Sequence, residues 1–343
     1  MTAGAAPVRA SGPARTVFFG SGAFAVPILE ALLDHPRIEV VGIVTAPDRP
    51  AGRGRTLLPT PVALKARSMW VPLLQPARVR APEAIAEIAA LQPELGVLAD
   101  YGQIVPEELL ALSPRGILNV HPSLLPRHRG ATPVPAAIAA GDEETGVSLI
   151  RMDAGVDTGP IVAASAWPLD GTERTPELET RAAREGAALL AASIDGWLDG
   201  SLRAEPQPEG GATLTRTFRK SDGRLNPSLP AAELERKVRA HAPWPGTFVE
   251  TEQGRVAILA ASTAATAPED EPGQLVEHDE RLAMATADGR LVLEQAQREG
   301  RRPTDGREFL RGQRALVGTR VGAPAGKVAA TSESAETTEA VAS

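Results

Sequence analysis

Along its first two hundred residues the chain switches repeatedly between short apolar runs and stretches whose apolar residues recur every three or four positions. From Thr16, TVFFG is an apolar run of β type, Gly20-Ser21-Gly22 is a turn, and the following AFAVPILEALLDH has helical spacing. Glu39–Val44 is a second strand. Pro61–Trp70 is a helix opened by proline, a short segment follows at Val71–Leu74, and Pro82–Leu91 is a further helix. Leu95–Ala99 has the continuous apolar character of a buried parallel strand, Pro106–Leu112 is helical, and Gly116–His121 is the next strand. Thr132–Ala140 is helix-like and stops at Gly141, Gly146–Met152 and Ile161–Trp167 are strands, and Pro176–Leu198 is a long amphipathic helix. Strands alternating with helices predict an α/β fold: a Rossmann-like, mostly parallel sheet with helices on both faces.

Beyond Gly200 the pattern changes. Residues 201–213 read as a linker, rich in Pro, Gly, Glu and Gln. Leu214–Phe218, Gly246–Thr251, Arg255–Ala260, Gly273–Val276, Leu282–Thr286 and Arg290–Gln295 are short β-type runs, separated by turn signals such as Asp288-Gly289. Such spacing predicts a small β-barrel, with an OB-like barrel as one form. The expected layout is a disordered extension at 1–15, a larger domain at 16–200, the linker at 201–213, the barrel at 214–320, and a disordered tail at 321–343 that lacks aromatic residues.

Composition narrows the chemistry. The 343 residues, 43% hydrophobic and 23% charged, are those of a globular protein with room for two domains. The absence of cysteine removes disulfides, thiol nucleophiles and thiolate metal sites. No window approaches the roughly 18 apolar residues of a membrane span, and the first fifteen residues lack a secretory apolar core, so a cytoplasmic protein is expected. The net charge of −7 argues against a non-specific coat for nucleic acid but leaves room for local basic patches. One such patch is Thr213–Pro245, where Arg216, Arg219, Lys220, Arg224, Arg236, Lys237 and Arg239 stand against Asp222, Glu233 and Glu235, or 7 − 3 = +4. A second is the loop TAPDRPAGRGRTLLPTPV with Arg49, Arg53 and Arg55, in which Pro and Gly predict neither helix nor strand. It is either a solvated connection or a loop that seeks phosphate.

The Gly20, Gly22 and Ala25 spacing loosely fits a dinucleotide fingerprint. The acidic residue that should end the second strand is missing there, since Asp48 already lies in the loop, and a tight β–α turn is the better reading than NAD binding. The reactive side chains concentrate instead between Leu118 and Gly159. Asn119 and His121, two apart in a strand, point to one side, Pro122 turns the chain out of the ladder, and the loop Asp153–Gly159 can bring Asp157 back. Asn, His and Asp together suit addition of a nucleophile to a carbonyl: Asn as oxyanion donor, His as proton or hydrogen-bond donor, Asp as proton acceptor or orienter of His. Asn119 and His121 merely capping a strand end is the plainer alternative. The surroundings of Ser123 do not form a nucleophile elbow, and the spacing of His121 and His128 does not converge on a metal with Asp157, so no metal is expected. Tyr101 and Gly102, past the end of a buried strand, are pocket-wall candidates.

NVHPSLLPRHRGATPV, followed by GDEETGVSLIRMDAGVDTGPIV, closely resembles the signature of the folate-dependent formyltransferases. The similarity runs from about Thr16 to Gly318 and is greatest to the branch acting on methionyl-tRNA, whose loop, PWPGTF and EFLRG segments are matched; glycinamide ribonucleotide formyltransferases lack the Arg loop and the second domain. The resemblance implies transfer of formyl from 10-formyltetrahydrofolate to the methionine amino group of initiator methionyl-tRNA. Asn119, His121 and Asp157 fall on the catalytic positions, Ser123, Leu124, Leu125 and Pro126 on the folate motif beside Tyr101 and Gly102, and Arg49, Arg53 and Arg55 on the tRNA-contacting loop. The barrel is implied to bind tRNA. Implied partners are initiator methionyl-tRNA and folate, with no membrane and a monomeric protein. Asp100, Pro227 and His128 depart from the family's usual Ala, Trp and aromatic residues. Two rivals are an enzyme of the same superfamily that formylates an amino sugar or hydrolyses 10-formyltetrahydrofolate, and a non-catalytic RNA-binding protein.

Overall fold

A computed structural model describes residues 12–51 and 56–322 of the chain. They divide into two compact units, the first holding the chain up to Gly223 and again Ala232–Thr247, the second holding Arg224–Ala231 and the chain from Phe248 on.

The first unit is built on a seven-stranded sheet in the order Ile161–Pro168, Glu144–Arg151, Ile117–His121, Leu95–Ala99, Ala14–Gly20, Ile38–Val44, Leu73–Leu74. The last five of these run parallel, and the first two join antiparallel. The mostly parallel, Rossmann-like sheet expected from the alternation is therefore present. Successive residues of Ala14–Gly20 point to opposite faces. Phe18 enters a core with Ile28, Leu32 and Val120, while Val17 and Phe19 enter another with Ile88 and Leu109. The Thr175–Asp199 helix lies close on the first face, since a Cβ at Gly186 would stand 2.8 Å from Val120 Cγ1.

The chain order reverses between Ala14–Gly20 and Leu95–Ala99, and open α/β sheets place ligands at the carboxyl ends of strands around such a point. At that point the Gly20-Ser21-Gly22 turn is already occupied. The Asp100 carbonyl accepts from Ser21 N (2.9 Å) and Gly22 N (3.3 Å), and a Cβ at Gly22 would run into the Asp100 carboxylate. The glycines serve this close packing of one loop on the next, which supports a tight β–α turn over a dinucleotide cradle.

Several local expectations change. In the Arg-rich loop, expected to hold no strand, Arg49–Ala51 and Thr56–Leu58 pair antiparallel. A two-stranded ribbon has only edges, so exposed Pro50 is tolerated there without an N–H. Arg53 and Arg55 lie outside the described residues, as do 1–11 and 323–343, on which most of the expected terminal disorder falls; Ala14 and Arg15 are already in the first strand. Leu214–Thr215, read as the first run of the barrel, pairs in parallel with Arg129–Gly130 of the first unit. Ala231–Ala240 and Gly306–Gly312 are helices that the run of short strands did not suggest. The first carries buried Ala231, Leu234 and Val238 at helical spacing, and the second is capped by Asp305 onto Arg307 N.

The second unit's sheet has six strands, ordered Thr247–Thr251, Gly254–Ala264, Arg290–Arg298, Arg281–Ala285 and Leu275–His278, with Thr304–Asp305 also on Arg290–Arg298. The pairings recorded for Gly254–Ala264, Arg290–Arg298, Arg281–Ala285, Leu275–His278 and Thr304–Asp305 are antiparallel. Irregular register around Ala260 curls the sheet toward a half-barrel, the open form of the small barrel expected here.

Leu149 is fully buried and opposite Val120 in the strand beside the site. Leu149→Ala is expected to cost roughly 2–5 kcal/mol of stability, read from the shift in urea unfolding midpoint.

Candidate active site

The Ile117–His121 strand sits between one parallel and one antiparallel neighbour. Asn119 pairs with Leu98 on one side and Ile150 on the other, and His121 pairs with Ser148. Both side chains are buried, at 5% and 4% exposure. Asp157 returns on the loop after Arg151 in a left-handed conformation, φ 52°. Its Oδ1 accepts from Asn119 Nδ2 at 3.0 Å, its Oδ2 accepts from the backbone N–H of Gly130 at 2.8 Å, and the same Oδ2 is 3.6 Å from His121 Nδ1. The structure thus brings Asn119, His121 and Asp157 together.

Backbone geometry holds this arrangement. Gln207 Nε2 donates to the carbonyls of Asp157 and Gly159, each at 2.8 Å, and its Oε1 accepts from Arg129 Nε at 3.1 Å. Residues 201–213, read as a linker, therefore fix the Asp157 loop. Gly130 has φ 104°, and a Cβ there would strike the Thr215 carbonyl, so only glycine presents its N–H to Asp157. His128 is also left-handed, φ 57°, which turns its carbonyl toward the site, where it accepts from His121 Nε2 at 3.0 Å. With Nε2 donating to a carbonyl, Nδ1 is the nitrogen that faces Asp157. Burial pushes the His121 pKa down, and the Asp157 charge opposes that.

These residues line a cavity of about 500 Å³. Phe24, Leu98, Val134 and Pro135 give apolar walls, Tyr101 and Gly102 stand at the strand end, and Asp100 and Glu179 add carboxylates to that of Asp157 with no Lys or Arg in the lining. Asp100 opens to solvent through the cavity but is packed on its other sides, and this desolvation raises its pKa to about 6. Glu179 is raised by burial and by the Asp100 charge. No group of His, Asp and Glu among the described residues is arranged to hold a metal ion.

The arrangement sets an amide donor, an imidazole and a carboxylate side by side in one cavity. The formyl transferase family model matches residues 14–194, and the model of the formyl transferase C-terminal domain matches 218–314. The chain belongs to the formyl transferase family. Methionyl-tRNA formyltransferase of Roseiflexus sp. (strain RS-1) is 42% identical over 311 residues, spanning 90% of this chain and 96% of that protein. The enzyme of the same name from Halorhodospira halophila is 42% identical over 306 residues, 89% of this chain and 98% of the relative. An N-formyltransferase from Helicobacter canadensis, solved with folinic acid and dTDP-3-aminofucose, has a TM-score of 0.62 at 17% identity, covering 82% of this chain and 98% of that one. HypX from Aquifex aeolicus, in complex with tetrahydrofolic acid, has a TM-score of 0.56 at 17% identity over 87% of this chain and 47% of that one. At such identities the likeness shows a shared fold.

Within this formyl transferase fold the other residues singled out from the sequence are dispersed. Tyr101 and Gly102 line the cavity. Ser123, Leu124, Leu125 and Pro126 lie outside its lining and shape the turn after His121: Ser123 Oγ donates to Arg127 O at 2.7 Å, and Leu125 N donates to Ser148 Oγ at 3.1 Å. Arg49 is exposed on the two-stranded ribbon. In the basic stretch, Arg216, Arg224 and Arg239 pair with Asp222, Glu250 and Glu235, while Arg219 and Lys220 stay exposed. Sequence reasoning did not single out Gly130, Gln207, Glu179, Phe218 or Trp244: Gly130 and Trp244 sit inside quoted motifs but carry no reactive group, and Gln207, Glu179 and Phe218 reach the site from distant segments without a motif; Asp100 had signalled itself as a departure from the family pattern.

Since the Asp157 charge raises the His121 pKa against burial, Asp157→Asn is expected to lower that pKa further. Following the imidazole C–H resonances of His121 through a pH titration reads this directly, and an unchanged or higher value would mean that the 3.6 Å approach carries no electrostatic coupling.

Proposed function

We propose that the chain transfers a formyl group from 10-formyltetrahydrofolate to the amino group of methionine on initiator methionyl-tRNA, giving formylmethionyl-tRNA for translation initiation. The observation that carries this reading is kinship at 42% identity across 90% of the chain with a relative of that activity. It works in the cytoplasm, as a monomer, on a tRNA whose acceptor end reaches the cavity.

The cavity's dimensions and chemistry suit the folate. About 500 Å³ with apolar walls accepts a flat heterocycle, and the carboxylates of Asp100 and Glu179 are acceptors for its N–H groups. When bound, 10-formyltetrahydrofolate supplies the activated formyl group and leaves as tetrahydrofolate. Tyr101 and Gly102 form the pterin side of the wall, and Ser123–Pro126 contribute by holding the turn that ends the His121 strand.

Asn119 and His121 act on the formyl oxygen. Asn119 carries a second amide N–H beyond the one given to Asp157, and that donor stabilises charge as the amine adds. His121 gives its Nε2–H to the His128 carbonyl, so it donates toward the formyl oxygen through Nδ1 once that nitrogen takes up a proton, a charged form that burial disfavours and the Asp157 carboxylate favours. Asp157 receives the proton that the acceptor amine must lose; with Asn119 on one oxygen and Gly130 N–H on the other, its position is set before substrate arrives. The exposed ribbon bearing Arg49, continued by Arg53 and Arg55, meets the phosphates of the acceptor stem.

The decisive assay offers charged initiator tRNA and a free amino-sugar nucleotide side by side; formylation of the tRNA is expected, and formylation of the sugar alone would overturn the proposal. In that assay Asn119→Ala, His121→Ala and Asp157→Asn are each expected to lower kcat by roughly 10²–10⁴ with circular dichroism unchanged, and a near-normal rate in Asp157→Asn would remove its proton role. Replacing Arg53 and Arg55 by Ala is expected to weaken tRNA use and to flatten its salt dependence, by about one in log–log slope for each phosphate that is no longer neutralised. An unchanged slope would return the loop to a solvated connection.

A further inference from the structure

A second cavity, of about 430 Å³, opens beside the first and shares Thr132, Pro135 and Phe218 with it. Its walls come from the Pro133–Ala140 helix, the segment Leu214–Phe218, and Lys237 and His241 at the end of the Ala231–Ala240 helix. All of these belong to the first unit. Asn119, His121 and Asp157 are not among its lining residues.

Three observations bear on what it holds. His241 lines the cavity although it is only 6% exposed, and its Nδ1 is enclosed without a hydrogen-bond partner, a cost that is relieved if the ring turns that nitrogen toward a bound ligand. Its ring packs against Phe218 with centroids 4.6 Å apart, and Leu214 on another wall is 78% exposed, so the cavity offers an aromatic pair and an unused apolar face. The charged lining residues are Arg216, Lys237, Asp222 and Glu233, two of each sign, with Arg216 held by Asp222 at 2.7 and 2.8 Å. A balanced lining does not attract a phosphate. It suits a neutral, flat ligand with an apolar face and a hydrogen-bonding edge, which describes a nucleobase. Burial, and then Lys237, press the His241 pKa down to about 4, so near neutral pH the ring is uncharged and can donate and accept like a base edge.

We propose that this cavity seats the terminal nucleobase of the acceptor, stacked beside Phe218 and hydrogen-bonded by His241, while the aminoacyl group attached to the same ribose enters the neighbouring cavity. The inference rests on the reading of the acceptor as an aminoacyl-tRNA. The shared wall of Thr132, Pro135 and Phe218 gives the two subsites the adjacency that an aminoacyl ester on a terminal nucleoside demands. A thioether side chain would fill the apolar part but leave Nδ1 without a strong partner.

The test uses deacylated initiator tRNA carrying 2-aminopurine at its 3′ end, with binding followed separately by mobility shift. Binding to the full-length protein is expected to quench the fluorescence at least twofold by stacking, and Phe218→Leu to abolish most of that quench. In formyl transfer, methionyl-tRNA ending in adenosine is expected to exceed one ending in cytidine at least tenfold in kcat/KM, with His241→Gln narrowing the ratio below threefold. Phe218→Leu serves the same comparison if His241→Gln does not fold. Binding with no fluorescence change, or a terminal-base preference intact in both variants, overturns the proposal and leaves the function standing. A preserved base preference with relaxed discrimination among aminoacyl groups would assign the cavity to the methionine side chain instead. No tRNA binding at all would sink the tRNA reading, and this inference with it.

Discussion

Everything at the centre of this molecule converges on one carboxylate. Asp157 has Oδ1 held by Asn119 and Oδ2 held by the Gly130 N–H, with His121 next in line. A carboxylate fixed at both oxygens has lost its rotational freedom before any substrate binds, and that order is maintained by several separate parts of the fold. The central strand aims Asn119 and His121 to one side, a left-handed turn delivers Asp157, and Gln207 holds the turn from a segment fifty residues further on. Three residues with left-handed backbone, Asp100, His128 and Asp157, gather around this one place. Strain of that kind persists where the surroundings over-determine it.

Burial and charge are set against one another around the same point. Desolvation lowers the His121 pKa and raises those of Asp100 and Glu179, so burial disfavours the charged form of each of these three. Asp157 is the counterweight for His121. Burial thus moves the acids and the imidazole in opposite directions, each toward its uncharged form. The same loop packing excludes phosphate from the first β–α turn, because the Asp100 carbonyl already takes the N–H groups of Ser21 and Gly22. One residue therefore marks both what this fold does not bind and the edge of what it does.

The fold of the first unit was legible because its periodicities are strong: buried parallel strands read as continuous apolar runs, and the Thr175–Asp199 helix announces itself by its length and amphipathic spacing. Asn119 and His121 could be placed together because side chains two apart on a strand share a face. The ribbon at Arg49–Ala51 and Thr56–Leu58 was missed because Pro and Gly speak against strands in general and not against an isolated pair of edges. The Ala231–Ala240 helix was missed although Leu234 and Val238 carry its period, since the short β runs around it dominated the pattern.

By itself the sequence determined the α/β character, the strand that presents Asn119 and His121, and the family to which these motifs belong, because all three rest on local spacing. Only the tertiary structure decided that Asp157 closes on that strand, that Gly130 and Gln207 hold it there, and that residues 201–213 form part of the site's frame. These depend on hydrogen bonds between segments up to 78 residues apart, such as Arg129 to Gln207. No periodicity along the chain records such pairings, because they are fixed by where packed elements happen to meet.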